Sequence, residues 1–364
     1  MKVIAYYLPQ YYPFNENNEW WGNGFTEWTN VGKAKPLYRG HYQPKVPADL
    51  GYYDLRLPEI RERQAELAKE AGVTAFCYWH YWFGNGKRLL DMPFNEILKS
   101  GKPDFPFCLG WANESWNAKV WNATGTKKDK LLMEQKYPGK KDIENHFYSI
   151  LPALKDSRYI RIDNKPIFVV YKPLLMADSP LFINLWNDLA KKNNISDGFF
   201  FIGHTINIME KDQILNLGFN AINIVRTGEY RFNKEVIKRI PFELFKFKIL
   251  HKPLKLNYSF ISKYFIQEID RNENVFPSII PNWDHTPRSG NYGVIFHNST
   301  PQLFKDHIKH ALEIVENKTT ERQVLFLKSW NEWGEGNYME PDLKFGKQYI
   351  NVLKKALDKL HQKQ

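Results

Sequence analysis

The chain has 364 residues, of which 43% are hydrophobic and 25% charged, and it carries a net charge of +11. That balance suits a globular protein with a large core and excludes a disordered, collagen-like or disulfide-scaffold chain. No apolar run approaches the roughly 18 residues of a membrane-crossing helix, and the two cysteines, Cys77 and Cys108, lie inside apolar runs as buried thiols.

The positive charge speaks to partners. No nucleic-acid motif accompanies it, so an anionic lipid surface or a substrate carrying phosphate or carboxylate fits at least as well. The segment from Met1 to Pro9 enters a strand pattern at once, without a charged leader and cleavage site, which makes the cytoplasm the expected location. Aromatic residues are abundant, with 12 Trp, 20 Tyr and 25 Phe, and many stand beside Asn, Gly or charged residues. Rings in polar company suit flat ligands with apolar faces, sugars above all, while the remainder serve as core.

In chain order, short apolar runs predict strands over residues 3–8, 73–79, 105–111, 166–171, 199–203, 221–225, 278–282 and 324–328. They are nearly continuous in hydrophobicity, as parallel strands buried on both faces must be. Amphipathic segments between them predict helices over 57–71, 88–99, 142–154, 179–192, 210–217, 259–271, 301–315 and 345–360. The first has Pro58 near its start and Gly72 just past its end, the usual helix punctuation. Eight alternations predict an α/β fold, a (β/α)8 TIM-type barrel spanning 1–364 as one catalytic domain. A doubly wound sheet is the competing architecture, but it calls for a glycine-rich turn after the first strand, where this chain has Pro9-Gln10-Tyr11-Tyr12-Pro13. Residues 9–56 and 112–141 are too long to be plain connectors, and both leave strand C-terminal ends, so both should roof the active face. The second carries Trp116, Trp121 and the basic run from Lys127 to Lys130.

Chemistry in this architecture sits at the C-terminal strand ends. There the sequence supplies Trp79 and His80, then Trp111, Asn113 and Glu114, Tyr171, His204, the group Trp283, Asp284 and Arg288, and finally Trp330-Asn331-Glu332-Trp333-Gly334-Glu335-Gly336. Glycoside cleavage commonly needs one carboxylic acid and one carboxylate. Glu332 and Glu335, three apart, project to one side if the loop turns helically, and Gly334 and Gly336 would admit a ligand to the backbone. A solvated acidic turn, or Glu332 paired with an arginine, is the plainer alternative. Glu114 is a rival second carboxylate, because Asn113-Glu114 mirrors Asn331-Glu332. His80 and His204 are bases, sugar donors or satisfied structural residues. Arg288 clamps an anion or pairs with Asp284. No His or Cys pair has ligand spacing, so neither a metal nor another cofactor is expected.

Several stretches resemble the WbsX-like family: residues 5–13, 24–31, 41–44 and 52–56, Trp111-Ala112-Asn113-Glu114, Asn282-Trp283-Asp284 and residues 330–336. The similarity runs from about residue 3 to about 358, and it adds Tyr7, Glu27 and Trp28 to the expected substrate-binding set. These proteins in turn resemble glycoside hydrolase family 99, the endo-α-mannosidase type. That resemblance implies a (β/α)8 barrel and metal-free retaining hydrolysis of α-mannosidic bonds. It implies Glu332 as the base on the sugar 2-hydroxyl, giving a 1,2-anhydro intermediate, and Glu335 as acid/base at the glycosidic oxygen. Gly334 stands where a larger residue is expected in the hydrolases, which points to a wider pocket. WbsX-like proteins resemble components of O-antigen or capsule loci and are often labelled glycosyltransferases, so an oligosaccharide or polysaccharide is the expected partner and nucleic acid is not. A glycosyltransferase using a nucleotide-sugar or lipid-linked donor and a non-catalytic glycan-binding barrel remain the alternatives.

Residues 231–265 interleave basic and apolar side chains. Two readings stand for them: a peripheral contact with the inner membrane, or an elaborated crossover with a solvated basic face.

Overall fold

The computed structural model describes residues 1–121 and 127–362. The side chains of Trp121 and of Lys127 to Asp129, singled out above, lie outside the described residues. Eight parallel strands form the core: β1 (Lys2–Tyr7), β2 (Ala75–Trp82), β3 (Phe107–Trp111), β4 (Lys165–Val170), β5 (Phe200–Thr205), β6 (Ala221–Ile224), β7 (Val275–Ile279) and β8 (Val324–Leu327). Each pairs with its sequence neighbours, and β1 pairs with both β2 and β8, so the sheet closes. The fold is the expected (β/α)8 barrel, and the open doubly wound sheet is ruled out.

The flanking helices follow the sequence pattern closely in places. Ser179–Lys192 and Pro301–Val315 have the expected bounds, and Pro58–Ala71 ends at Gly72 with φ 83°, a left-handed cap that glycine adopts without strain. Two expectations need correction. The helix expected over 88–99 begins only at Met92, because Arg88–Leu89 first pairs antiparallel with Tyr81 and Trp82 at the end of β2. The helix expected over 259–271 is broken into Tyr258–Ile261 and two short turns, Ser262–Tyr264 and Glu268–Arg271. The break carries Asp270 inward onto Arg226, where the two make bonds of 2.6 and 2.7 Å with neither side chain exposed. A buried charge must be paired, so this contact sets the path of the chain.

Alternation along the strands decides what faces the barrel axis. Tyr6 of β1 stacks on Trp79 of β2 with centroids 4.7 Å apart, and on Phe326 of β8. The Tyr6 hydroxyl donates to Asn223 of β6 at 2.7 Å, and Asn223 donates to Ser278 of β7 at 2.9 Å. Cys77 and Cys108 are buried free thiols in register on β2 and β3. Trp79, Tyr171 and His204 then form an aromatic floor, with Tyr171 4.8 Å from His204 and 5.4 Å from Trp79.

Candidate active site

Above that floor, at the C-terminal strand ends, lies a cavity of about 210 Å³. Its walls come from β1 and its following loop (Leu8, Gln10, Glu27), β2 (Trp79, Tyr81), the β3 loop (Ala112, Glu114, Trp116), β4 (Tyr171), the β7 loop (Arg288) and β8 with its exit (Lys328, Glu332, Glu335). Glu332 and Glu335 therefore converge on one cavity.

The exit of β8 is held rigidly. Trp333–Glu335 form a single tight helical turn. The Trp333 indole donates to Glu340 at 2.6 Å and stacks on Tyr338 at 3.7 Å, while its backbone N–H donates to the Tyr11 hydroxyl at 3.1 Å. The Asp284 N–H donates to the Glu335 carbonyl at 2.7 Å. Asp284 is itself fixed by His41 at 2.7 Å and Gln43 at 2.6 Å. Gly334 meets a packing requirement: a Cβ there would stand 1.9 Å from Oε2 of Glu27 and 3.1 Å from Nε of Arg288, so the missing side chain makes room for that pair. Gly336, at φ 53°, lies against Lys45 and Asp284 in the same way.

The electrostatics of the two glutamates differ. Glu332 accepts from the Trp79 indole at 3.1 Å and from Lys328. Burial pushes its carboxyl up to about 7, with Lys328 opposing and the neighbouring Glu335 reinforcing the rise. Burial pushes Glu335 up as well, but Lys328 and Arg288 outweigh it and hold the carboxyl well below the usual range. Arg288 donates to Glu335 at 2.6 Å, Lys328 is 3.5 Å away, and His285 is 3.8 Å away. The pair is thus driven apart: Glu332 holds a proton more readily than an ordinary carboxyl group, and Glu335 less readily. Glu114 faces the same cavity, its carboxyl raised by burial against the pull of Lys172 and further by Glu335.

Of the residues expected to bind substrate, Glu27, Trp79, Glu114, Tyr171 and Arg288 line this cavity. Arg288 pairs with Glu27 and Glu335, not with Asp284. Tyr7 is turned outward, donating to Gln64 at 2.7 Å, because it alternates with the inward Tyr6. His80 alternates with Trp79 and faces the helix layer, where it pairs with His146 at 2.8 Å; burial lowers its pKa to about 3. Trp111 packs among His146 and Phe182 and donates to the Trp82 carbonyl at 2.9 Å. Asn113 ties the β3 loop to β4 by exchanging bonds with Lys172, and Asn331 ties β8 to β1 through both backbone groups of Leu8. Trp28 donates to the Tyr53 carbonyl at 2.7 Å behind Trp333, and Trp330 is core, packed on Phe76. His204 lies in the floor. Trp283 and Asp284 border a smaller adjoining cavity with His41, Lys45 and His297.

Lys328, Gln10, Tyr81 and Trp116 complete the site without having been singled out for it. Lys328 carried a readable signal, a lysine ending an otherwise apolar strand four residues before Glu332.

Comparisons with known proteins agree with the barrel fold. Residues 3–353 match the family described as Glycosyltransferase WbsX. The WxcX proteins of Xanthomonas campestris pv. campestris strains ATCC 33913 and B100 are 31% and 30% identical over 359 and 362 residues, 98% of this chain. The chain spans about half the length of these curated relatives, 49% in each case. Among solved structures, a GH99 endo-α-mannosidase from Bacteroides thetaiotaomicron, bound to bis-tris-propane, superposes with a TM-score of 0.58 at 17% identity, covering 99% of this chain and 97% of its own. A glycoside hydrolase-like protein gives 0.57 at 16%, covering 98% and 93%. These likenesses concern the fold. The match over nearly the whole chain places this protein in the WbsX family, a family of carbohydrate-active enzymes.

Proposed function

We propose that the chain cleaves or transfers glycosidic bonds with retention, on an α-linked manno-type glycan of a cell-surface polysaccharide, through Glu332 and Glu335. One observation carries the reading: two carboxyl groups from one exit loop enter an aromatic-floored cavity with protonation preferences driven apart, the arrangement acid–base cleavage of a glycoside requires. The family description and the barrel shared with an endo-α-mannosidase support the substrate class.

The cavity's charge speaks against the nucleotide-sugar alternative that the family's label invites. Four carboxyl groups, Glu27, Glu114, Glu332 and Glu335, face two cations, Arg288 and Lys328, and both cations already hold carboxylates. A donor diphosphate would have to displace a carboxyl group to reach either cation.

Glu335→Gln is expected to abolish turnover on the producing cell's own surface glycan while leaving folding and glycan binding intact; undiminished turnover would end the proposal. Calorimetric titration with a panel of nucleotide sugars should show no binding, and binding there would favour the transferase reading. Tight oligosaccharide binding by the wild type with no product after long incubation would favour a non-catalytic barrel. The roles within the pair separate on a glycosyl fluoride, whose departure needs no proton. The resemblance makes Glu335 the acid, so Glu335→Gln should keep activity on the fluoride and Glu332→Gln should not. The resting charges favour the reverse.

A further inference from the structure

The crossover from β6 to β7 contains a helix with no buried residue. Pro241–Lys248 follows two shorter helices, Glu229–Phe232 and Lys234–Arg239, and every one of its eight side chains is at least partly open to solvent. A surface helix of a globular protein ordinarily buries one apolar face. Here Leu244 and Phe247 pack partly buried against the core, but Phe242 is 65% exposed and Phe245 50%, and just beyond the helix Ile249 is 61% and Leu250 52% exposed. Four large apolar side chains standing together in water mark a surface made to be covered.

Charge narrows what covers it. Between residues 231 and 255 there are eight Lys and Arg against two Glu. Lys238, Arg239, Lys248 and Lys252 flank the exposed rings, and Lys246 lies over the Phe242 ring at 4.1 Å while pairing with Glu243. Apolar side chains among lysines match an anionic lipid surface, where rings enter the acyl boundary and ammonium groups stay at the phosphates. No helix of the described residues is long and apolar enough to cross a membrane, so the contact would be peripheral.

The excursion is also oriented. Leu254–Asn257 pairs in parallel with Val294–His297, which follows the segment carrying Trp283, Asp284 and Arg288. The patch is thereby fastened to the end of the barrel that holds the carboxylates. Leu175 after β4 and Met209 after β5, 59% and 83% exposed, extend from the same end.

We propose that residues 229–252 form a docking surface for an anionic membrane, which turns the rim of the cavity toward the bilayer. The docking stands on its own; the consequence that the glycan handled is membrane-anchored rests on the function proposed above.

The test is co-sedimentation of the full chain with vesicles of phosphatidylcholine alone or mixed with phosphatidylglycerol. Binding is expected only to the anionic vesicles, weakening as salt is raised. Phe242→Ser with Phe245→Ser and Ile249→Ser, and separately Lys238→Glu with Lys248→Glu and Lys252→Glu, should each lower partitioning by at least about tenfold. Thermal unfolding should be unchanged, since these side chains are exposed. Glu335→Gln should bind vesicles like the wild type, which keeps this test apart from that of catalysis. Absence of binding to anionic vesicles, or equal binding by wild type and patch variants, would overturn the proposal. So would patch variants that alter only self-association in sedimentation velocity, since the surface would then be a protein interface.

Discussion

Nη1 of Arg288 donates to Oε1 of Glu335 at 2.6 Å, and the same guanidinium holds Oε2 of Glu27 through Nε at 3.1 Å and Nη2 at 3.0 Å. One side chain from the β7 loop thus joins the loop after β1 to the exit of β8. Together with Lys328 it also holds the Glu335 carboxyl below the usual range.

Arg288→Ala leaves Glu27, buried and now without its cation, beside a Glu335 that has lost one of two. Because Arg288 is itself a quarter exposed, the expected loss of stability is moderate, about 2 kcal/mol, below that of a fully buried pair. The pH dependence has a definite sign. A depressed carboxyl stabilises the folded state above the ordinary carboxylate range, and that contribution disappears as pH falls through the folded-state pKa. With Arg288 gone the Glu335 pKa rises, so the remaining contribution is smaller and is lost at higher pH. Denaturant unfolding of both proteins across the acid range checks this, and restoration in the Glu27→Gln double variant would assign the defect to the stranded carboxylate.

Glu332 has the opposite sign. Its carboxyl is raised to about 7 in the folded state, so the folded protein binds a proton that the unfolded chain has already released. Stability is therefore fully present below the ordinary carboxylate pKa and declines as pH rises through about 7. Glu332→Gln removes the titration. The variant is expected to gain stability over the wild type at alkaline pH and to gain little in acid, and, on the function proposed above, to lose activity. Equal differences at both ends of the range would refute the assignment.

What could be read from the sequence follows from how each signal arises. The barrel was legible because runs such as Val324 to Leu327 are apolar throughout, which only a strand buried on both faces tolerates. The glutamate pair was legible because Glu332 and Glu335 follow such a run directly. The direction of the aromatic and polar neighbours was not. Continuous apolar runs conceal the alternation that separates Trp79 from His80 and Tyr6 from Tyr7. Asn113 and Asn331 look alike beside their glutamates, yet both bond backbone groups of an adjacent strand's exit, a tertiary arrangement that no local pattern encodes. Of the partners that set the Glu335 charge, Lys328 is near in sequence, but Arg288 comes from the β7 loop, a pairing created only by the tertiary fold.

Gly334 tests the packing beneath the site. Any Cβ there meets Glu27 at 1.9 Å, and the backbone on either side is fixed by the Trp333 and Asp284 hydrogen bonds. Gly334→Ala is expected to expel the Glu27 carboxylate from Arg288, costing about 1–3 kcal/mol as overpacking does. Turnover should fall more steeply than stability, because Arg288 would be displaced from Glu335 as well. Activity measured well below the melting transition separates the two effects. Wild-type kcat with wild-type stability would mean that the loop shifts freely, contrary to the contacts that hold it.

Trp79 offers the most direct probe of Glu332. Its indole N–H donates to Oε1 of Glu332 at 3.1 Å while its ring lies flat on Tyr6, 4.7 Å away and within 5° of parallel. Trp79→Phe removes the donor and keeps a ring for the stack. A carboxylate that loses a hydrogen bond to its charged form is harder to ionise, so the Glu332 pKa, already about 7, should move upward. A hydrogen bond to a charged group is worth about 1.5–3 kcal/mol, so kcat/KM should fall by roughly 10–100-fold if the bond strengthens toward the transition state. The pH profile of kcat/KM reports which form of Glu332 works in the free enzyme. If Glu332 acts ionised, as the base on the sugar 2-hydroxyl, activity rises through about pH 7 in the wild type and the rise moves to higher pH in Trp79→Phe. If it acts protonated, activity falls through the same region and the fall moves to higher pH. An unshifted profile would show that the group titrating there is not Glu332.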